Sequence, residues 1–164
     1  MADLLSTVLV TYAAFTIASW WIDGLDRRWI VVAMGGAAIP DLVKIQILVE
    51  ESTVENALGL PFDYAPVASV AGVAVAAGII ALCFGKRWRR KAYAVLVAGG
   101  GFSLLIDGMR VYADSFAGFY LYPLWVRPPT PNLFVSSDPA VLVVALLISV
   151  MTFGLDRWRT STQS

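Results

Sequence analysis

No histidine occurs anywhere in the 164 residues. That absence removes the most versatile metal-binding side chain and the commonest general base near neutral pH, and it excludes a Ser-His-Asp triad. There is one cysteine, Cys83, so an internal disulfide is excluded too. It lies within an apolar run and is expected to be a small packing residue, not a nucleophile. Charge is scarce: 15% of residues are Asp, Glu, Lys or Arg, against about 25% in a soluble domain. Twelve cations balance twelve carboxylates, and a net charge of zero argues against a nucleic-acid partner.

What is plentiful is hydrocarbon. Hydrophobic residues make up 59% of the chain and the mean hydropathy is +0.73, where soluble domains run near about 45–50% apolar. The excess is gathered into blocks, the pattern of an all-α, polytopic membrane helix bundle. Five segments stand out as spans, at residues 4–22, 29–49, 64–84, 92–109 and 140–155. The first, "LLSTVLVTYAAFTIASWWI", lacks the basic start and small-residue cleavage site of a secretory signal and is taken as structure. Pro40 interrupts the second and should break or kink it. Glycine and alanine along segments two to four suit close helix–helix approach in lipid. The triplet Gly99-Gly100-Gly101 has no phosphate-loop lysine, so it is no nucleotide site.

Loop charges orient such a bundle. Arg27-Arg28, "KRWRRK" (residues 86–91) and "RWR" (residues 157–159) all fall on one side of a five-span chain. The positive-inside rule makes that side cytoplasmic, so the N-terminus faces out and the C-terminus faces in. The outer side receives Asp3, the acidic stretch at 50–55 and a long segment at 111–139. That last segment contains "YLYPLWVRPPTPNLF", whose four prolines favour a rigid extended loop and whose aromatics suit a membrane interface. It is expected to cap the outer face. The whole of residues 1–164 thus forms a single multi-pass domain of the cell membrane.

Within this apolar chain two short stretches carry charge: "AAIPDLVKI", with Asp41 and Lys44, and "GFSLLIDGMR", with Asp107 and Arg110. A charge at mid-membrane costs about 2.5–3.5 kcal/mol on insertion scales, so such residues are informative. In each stretch the cation follows the carboxylate by three residues, on the same helical face. Each carboxylate should therefore be neutralised by its own neighbour, as in a structural polar cluster.

Together with "LPFDYAPVASVAG", "FYLYPLWVR" and "LFVSSDP", these stretches resemble the YdjM-type membrane-bound metal-dependent hydrolases, especially archaeal-looking members. That family is grouped with zinc-dependent phospholipase C and P1 nuclease folds, and the likeness covers most of the chain. The resemblance implies histidine ligands where this chain has Thr7, Ala68 and Ser103, with the carboxylates kept at Asp41 and Asp107. In the five-span topology all five positions fall in one outward layer, which permits a single shared pocket.

Three functional expectations follow. The first is a noncatalytic relative in which Asp41, Lys44, Ser103, Asp107 and Arg110 form a polar cluster serving structure, or binding of membrane lipids or of another membrane protein through the outer loop; it needs no cofactor. The second is an active hydrolase of a phosphoester or lipid, with a divalent metal at Asp41 and Asp107. Lys44 and Arg110 would oppose any such cation. A transporter is the third; broken helices favour it, and the absence of a recognisable inverted repeat counts against it.

Overall fold

Small residues recur every three or four positions along the middle segments, and the helices use that spacing to pack. The computed structural model describes residues 3–111, 118, 120–122, 127, 129–135 and 138–162. Among these the fold is all-α: helices α1 (Asp3–Ala18), α2 (Arg27–Ala37), α3 (Glu51–Leu58), α4 (Val70–Leu82), α5 (Arg89–Asp107) and α6 (Pro139–Thr162). Two 3-10 helices, Pro40–Ile47 and Ala65–Ala68, lie between α2 and α4.

α5 is the hub. It packs against α1, α2 and α4, while α6 packs on α1. The α2–α5 crossing brings backbone onto backbone. A Cβ built on Gly36 would sit 2.3 Å from the Leu96 carbonyl oxygen, and one on Gly99 would sit 2.0 Å from that of Ala33. One residue on, about 100° round the α5 surface, Gly100 leaves the notch that a Val73 methyl from α4 enters; a Cβ there would lie 2.4 Å from it. α4 offers Val73, Ala77 and Ala81 at four-residue spacing, all nearly inaccessible. α5 answers with Ala92, Leu96 and the glycines. Gly35 and Gly101, one position away, face nothing.

The α1–α6 contact is built differently, around hydroxyls. Thr11 is fully buried and its Oγ1 donates to the Thr7 carbonyl at 2.7 Å. Ser149 Oγ on α6 reaches across to the Leu9 carbonyl at 2.9 Å and back to that of Ala145 at 2.8 Å. Thr152 donates to the Ile148 carbonyl at 2.8 Å. Such back-bonded hydroxyls satisfy themselves without water and let two helices approach closely.

The helix ends follow local chemistry. Ser69 caps α4, accepting from the Gly72 amide at 3.1 Å while donating to the Pro66 carbonyl at 2.6 Å. Asp138 Oδ1 accepts from the Ala140 amide at 2.9 Å ahead of Pro139, which suits the first helical position. The break expected at Pro40 is present: α2 and the first 3-10 helix meet at a bend of 43°.

Three expectations are corrected. Of the five expected spans, only α6 is long and apolar enough to cross a membrane by itself, or two if α2 and the bent 3-10 helix count as one. α1 and α4 are apolar but short, at 16 and 13 residues, roughly 24 and 20 Å of helical rise against about 30 Å of hydrocarbon. Turns begin after Ala18, and Ser69 starts α4 late; α5 carries three cations in its first turn and Asp107 at its end. The acidic stretch at 50–55 is not loop but the exposed helix α3, closed by Gly59 in the left-handed conformation (φ 67°). Cys83 is exposed at the end of α4, not packed inside, because the buried face runs through Val73, Ala77 and Ala81 and Cys83 falls about 200° round from the last of these.

The glycine crossing yields a prediction. Gly99→Ala or Gly36→Ala should destabilise the folded protein by about 1–3 kcal/mol through overpacking. Gly35→Ala and Gly101→Ala should be neutral or stabilising by up to about 1 kcal/mol. Thermal unfolding of the four purified variants measures this contrast.

Candidate functional site

The bundle has two chemically distinct ends. At one end meet the C-termini of α1 and α6 and the starts of α2 and α5. Arg27 pairs with Asp156 at 3.1 Å, and Trp20 Nε1 donates to the same carboxylate at 3.4 Å. Trp29 and Trp88 lie 5.8 Å apart, and Lys91 sits over the Trp29 ring at 4.6 Å while its ammonium also donates to the Gly24 carbonyl. Arg159 covers Trp20 at 4.6 Å and Arg87 covers Trp88 at 5.1 Å. The three basic runs thus converge on one tryptophan-rich surface. Nine cations belong to these segments (Arg27, Arg28, Lys86, Arg87, Arg89, Arg90, Lys91, Arg157 and Arg159), against three carboxylates, Asp23, Asp26 and Asp156.

The segments at the opposite end are acidic. Asp3, Asp41, Glu50, Glu51, Glu55, Asp63, Asp107 and Asp138 lie there among the described residues, against Lys44, Arg110 and Arg127. The zero net charge is therefore the sum of two opposed ends, invisible in the total.

Both charged stretches form their pairs. Lys44 Nζ lies 2.6 Å from Asp41 Oδ1, and Arg110 Nη2 lies 2.8 Å from Asp107 Oδ1. In the 3-10 helix that carries the first pair, residues i and i+3 eclipse, so the three-residue spacing aligns them directly. The second pair closes just past the end of α5 and is the more enclosed: its side chains are 19% and 15% exposed, where Lys44 is 39% exposed. Strand-like contacts hold it in place, with Val111 donating to the Phe134 carbonyl at 2.9 Å and Leu133 to that of Met109 at 2.9 Å. Val70 donates to the Tyr120 carbonyl at 2.8 Å. The described part of residues 111–139 therefore lies over the ends of α4 and α5; the rest of that segment lies outside the described residues.

The five mapped positions lie on segments of this end. A cleft of about 400 Å³ between α1, α5 and α6 is lined by Thr7 and Arg110, with Ser6, Ile106, Phe134 and Val144 among its other walls. Asp41, Lys44, Ala68, Ser103 and Asp107 do not line it. Asp41 and Lys44 ride on the first 3-10 helix, and Ala68, half-buried, on the second, which packs against the first. Ser103 is buried in α5. Thr7 thus lines an apolar cleft beside α6, while the Asp41–Lys44 pair stands on the first 3-10 helix. The Pro40 bend carries Asp41 off the line of α2.

Nor does the donor set fit a divalent ion. Each carboxylate is engaged by its own cation, and among the described residues no group of three or more His, Cys, Asp or Glu side chains could hold a metal. Sequence reasoning missed a second cleft, of about 300 Å³, at the basic end between α1, α2 and α6. Its signal was Tyr12 and Thr16, two hydroxyl-bearing residues four apart on one face of α1.

The enclosure of the two pairs predicts unequal energetics. A double-mutant cycle on Asp107→Asn and Arg110→Gln should give a coupling of about 1–3 kcal/mol. The same cycle on Asp41→Asn and Lys44→Gln should give about 0–1 kcal/mol. Denaturation midpoints of the wild type, the four single variants and the two double variants decide it. Comparisons of the chain with protein-family models, with curated proteins and with solved structures find no match, so the family resemblance rests on the quoted motifs alone.

Proposed function

We propose that this chain is a noncatalytic, multi-pass membrane protein whose outward polar residues are an ion-paired structural cluster and whose clefts accommodate lipid. One observation carries the proposal. The distribution of polarity is inverted relative to a water-soluble fold: large apolar side chains face outward while the buried polar side chains are hydroxyls. Along α6 alone, Val143, Val144, Leu147, Val150, Met151 and Phe153 are each more than half exposed, and on the other helices so are Val31, Val75, Ile79 and Leu105. Buried polar positions are Ser6, Thr7, Thr11, Thr16, Ser69, Ser103, Thr130, Ser149 and Thr152. Contiguous apolar surface on this scale favours a hydrocarbon solvent.

The charges support the same reading. α2 and α5 both start with cations, Arg27-Arg28 and Arg89 to Lys91, where the helix dipole opposes them by roughly 0.3–1 kcal/mol each. Helix stability does not select that arrangement; anchoring at a cytoplasmic headgroup layer does. The successive alternation of the five apolar segments between the two ends favours five passes, with short α1 and α4 crossing as parts of a packed unit. Ion pairing of Asp41 and Asp107 favours a structural over a hydrolytic role.

The sole cysteine provides the test. An impermeant maleimide should label Cys83 only after cells are permeabilised, whereas Ser52→Cys in a Cys83→Ser background should react in intact cells. Carbonate should leave the protein in the membrane pellet. Release by carbonate, or the reverse labelling, overturns the membrane reading. Stoichiometric metal accompanied by phosphodiesterase activity that Asp107→Asn abolishes overturns the noncatalytic one.

A further inference from the structure

The cleft at the basic end carries a specific ligand chemistry. Its body is apolar, from Ile30, Val31, Met34 and Phe153, and Tyr12 and Thr16 complete the α1 wall. Arg27 and Asp156 also line it, and their pairing places a guanidinium and a carboxylate together there. Two independent features point to an absent partner. Thr16 is 2% exposed and its hydroxyl is buried with no hydrogen-bond partner among the described residues. Thr11, Ser149 and Thr152 each close on the carbonyl four residues back; Thr16 does not. A buried hydroxyl left unmatched costs about 1–3 kcal/mol, so an acceptor is called for. The Arg27 side chain, in turn, is 74% exposed despite its ion pair and stands in the most cationic part of the molecule.

We infer that this cleft binds one anionic glycerophospholipid, its phosphate on Arg27, an ester carbonyl accepting from Thr16 and an acyl chain along Ile30, Val31, Met34 and Phe153. The order of these groups matches the order in such a lipid: charge at the helix ends, ester level a turn or so inward, hydrocarbon deeper. α1 ends at Ala18, two residues beyond Thr16, and α2 begins at Arg27, so both polar groups sit at the interface while Met34 lies two turns in. Aromatic rings of Trp20 and Trp29 mark the same level. The excess of nine cations over three carboxylates at this end selects an anionic headgroup over a zwitterionic one. Asp156 competes with the phosphate for Arg27.

That competition gives the test its sign. The full chain, purified in detergent, is titrated with phosphatidylglycerol or with phosphatidylcholine of the same acyl chains, and retained lipid is read by native mass spectrometry. Phosphatidylglycerol should bind with preference. Arg27→Gln and Thr16→Val should each weaken it roughly fivefold, while Arg28→Gln and Arg90→Gln leave it within about twofold. Asp156→Asn should strengthen it. Equal binding of the two lipids, an equal loss in the Arg28 and Arg90 variants, or no change in Thr16→Val overturns the site. Weakening in Asp156→Asn shows that the ion pair is purely structural and overturns it too. The inference rests on the membrane reading, and the two failures look different: carbonate release sinks both, whereas a carbonate-resistant protein without lipid preference sinks only the site.

Discussion

The close approach of α2 to α5 is the constraint on which the other contacts depend. Gly36 and Gly99 remove two Cβ atoms from a crossing where each would overlap a carbonyl of the opposite helix. With backbones in contact, α5 can also seat the Val73 methyl of α4 against Gly100, so three helices share one point. Dispersion there comes from many short backbone and methyl contacts, not from large buried side chains. The core residues are accordingly small: Val73, Ala77, Ala81 and Ala92 lie beside only a few large ones such as Leu96, Leu104 and Trp29. Such packing stabilises a bundle in lipid, where burying a leucine from hydrocarbon gains little.

From that crossing follow the two polar ends. Bringing the C-terminal half of α2 onto the middle of α5 places Trp29 against Trp88 at one end. At the other it sets the first 3-10 helix beside α5, with the second packed on the first and on α4. Charges that alternate along the sequence are thereby sorted in space, cationic with tryptophan on one side and mainly acidic on the other. Electroneutrality over the whole chain hides this polarity. The ion pairs at Asp41 and Asp107 are local, made within one turn of chain, and need no tertiary assistance beyond the partial shielding that strengthens the second.

The clefts arise from imperfect closure around α6. It rests on α1 through hydroxyls and small residues along its middle and leaves an opening toward each end. One opening meets the acidic end at Arg110 and Thr7; the other meets the basic end at Arg27 and Asp156. Their walls are mostly apolar because α6 is apolar nearly all round. Their chemical difference comes from what the neighbouring helix ends contribute: Tyr12, Thr16 and the Arg27–Asp156 pair at the basic end, Ser6, Thr7 and Arg110 at the other.

Local and periodic features were readable from the chain alone. The helical class, the Pro40 break, the common side of the three basic runs and both carboxylate–cation pairs depend on spacings of a few residues, which the backbone period converts directly into geometry. The lengths of the helices were not readable. Apolar composition continues past Ala18 and begins before Val70, while hydrogen-bonded turns and the Ser69 cap decide where the helices stop and start. Nor could spacing tell Gly36, Gly99 and Gly100 from Gly35 and Gly101, since only the crossing decides which glycine faces a neighbour. Spacing did not say that Thr7 lines the cleft beside α6 while Asp41 rides a 3-10 helix beyond the bend after α2, because both depend on how the helices pack. Thr16 gained its meaning only from tertiary structure: a threonine in an apolar helix is unremarkable until three helices enclose it and its hydroxyl has nowhere to bond.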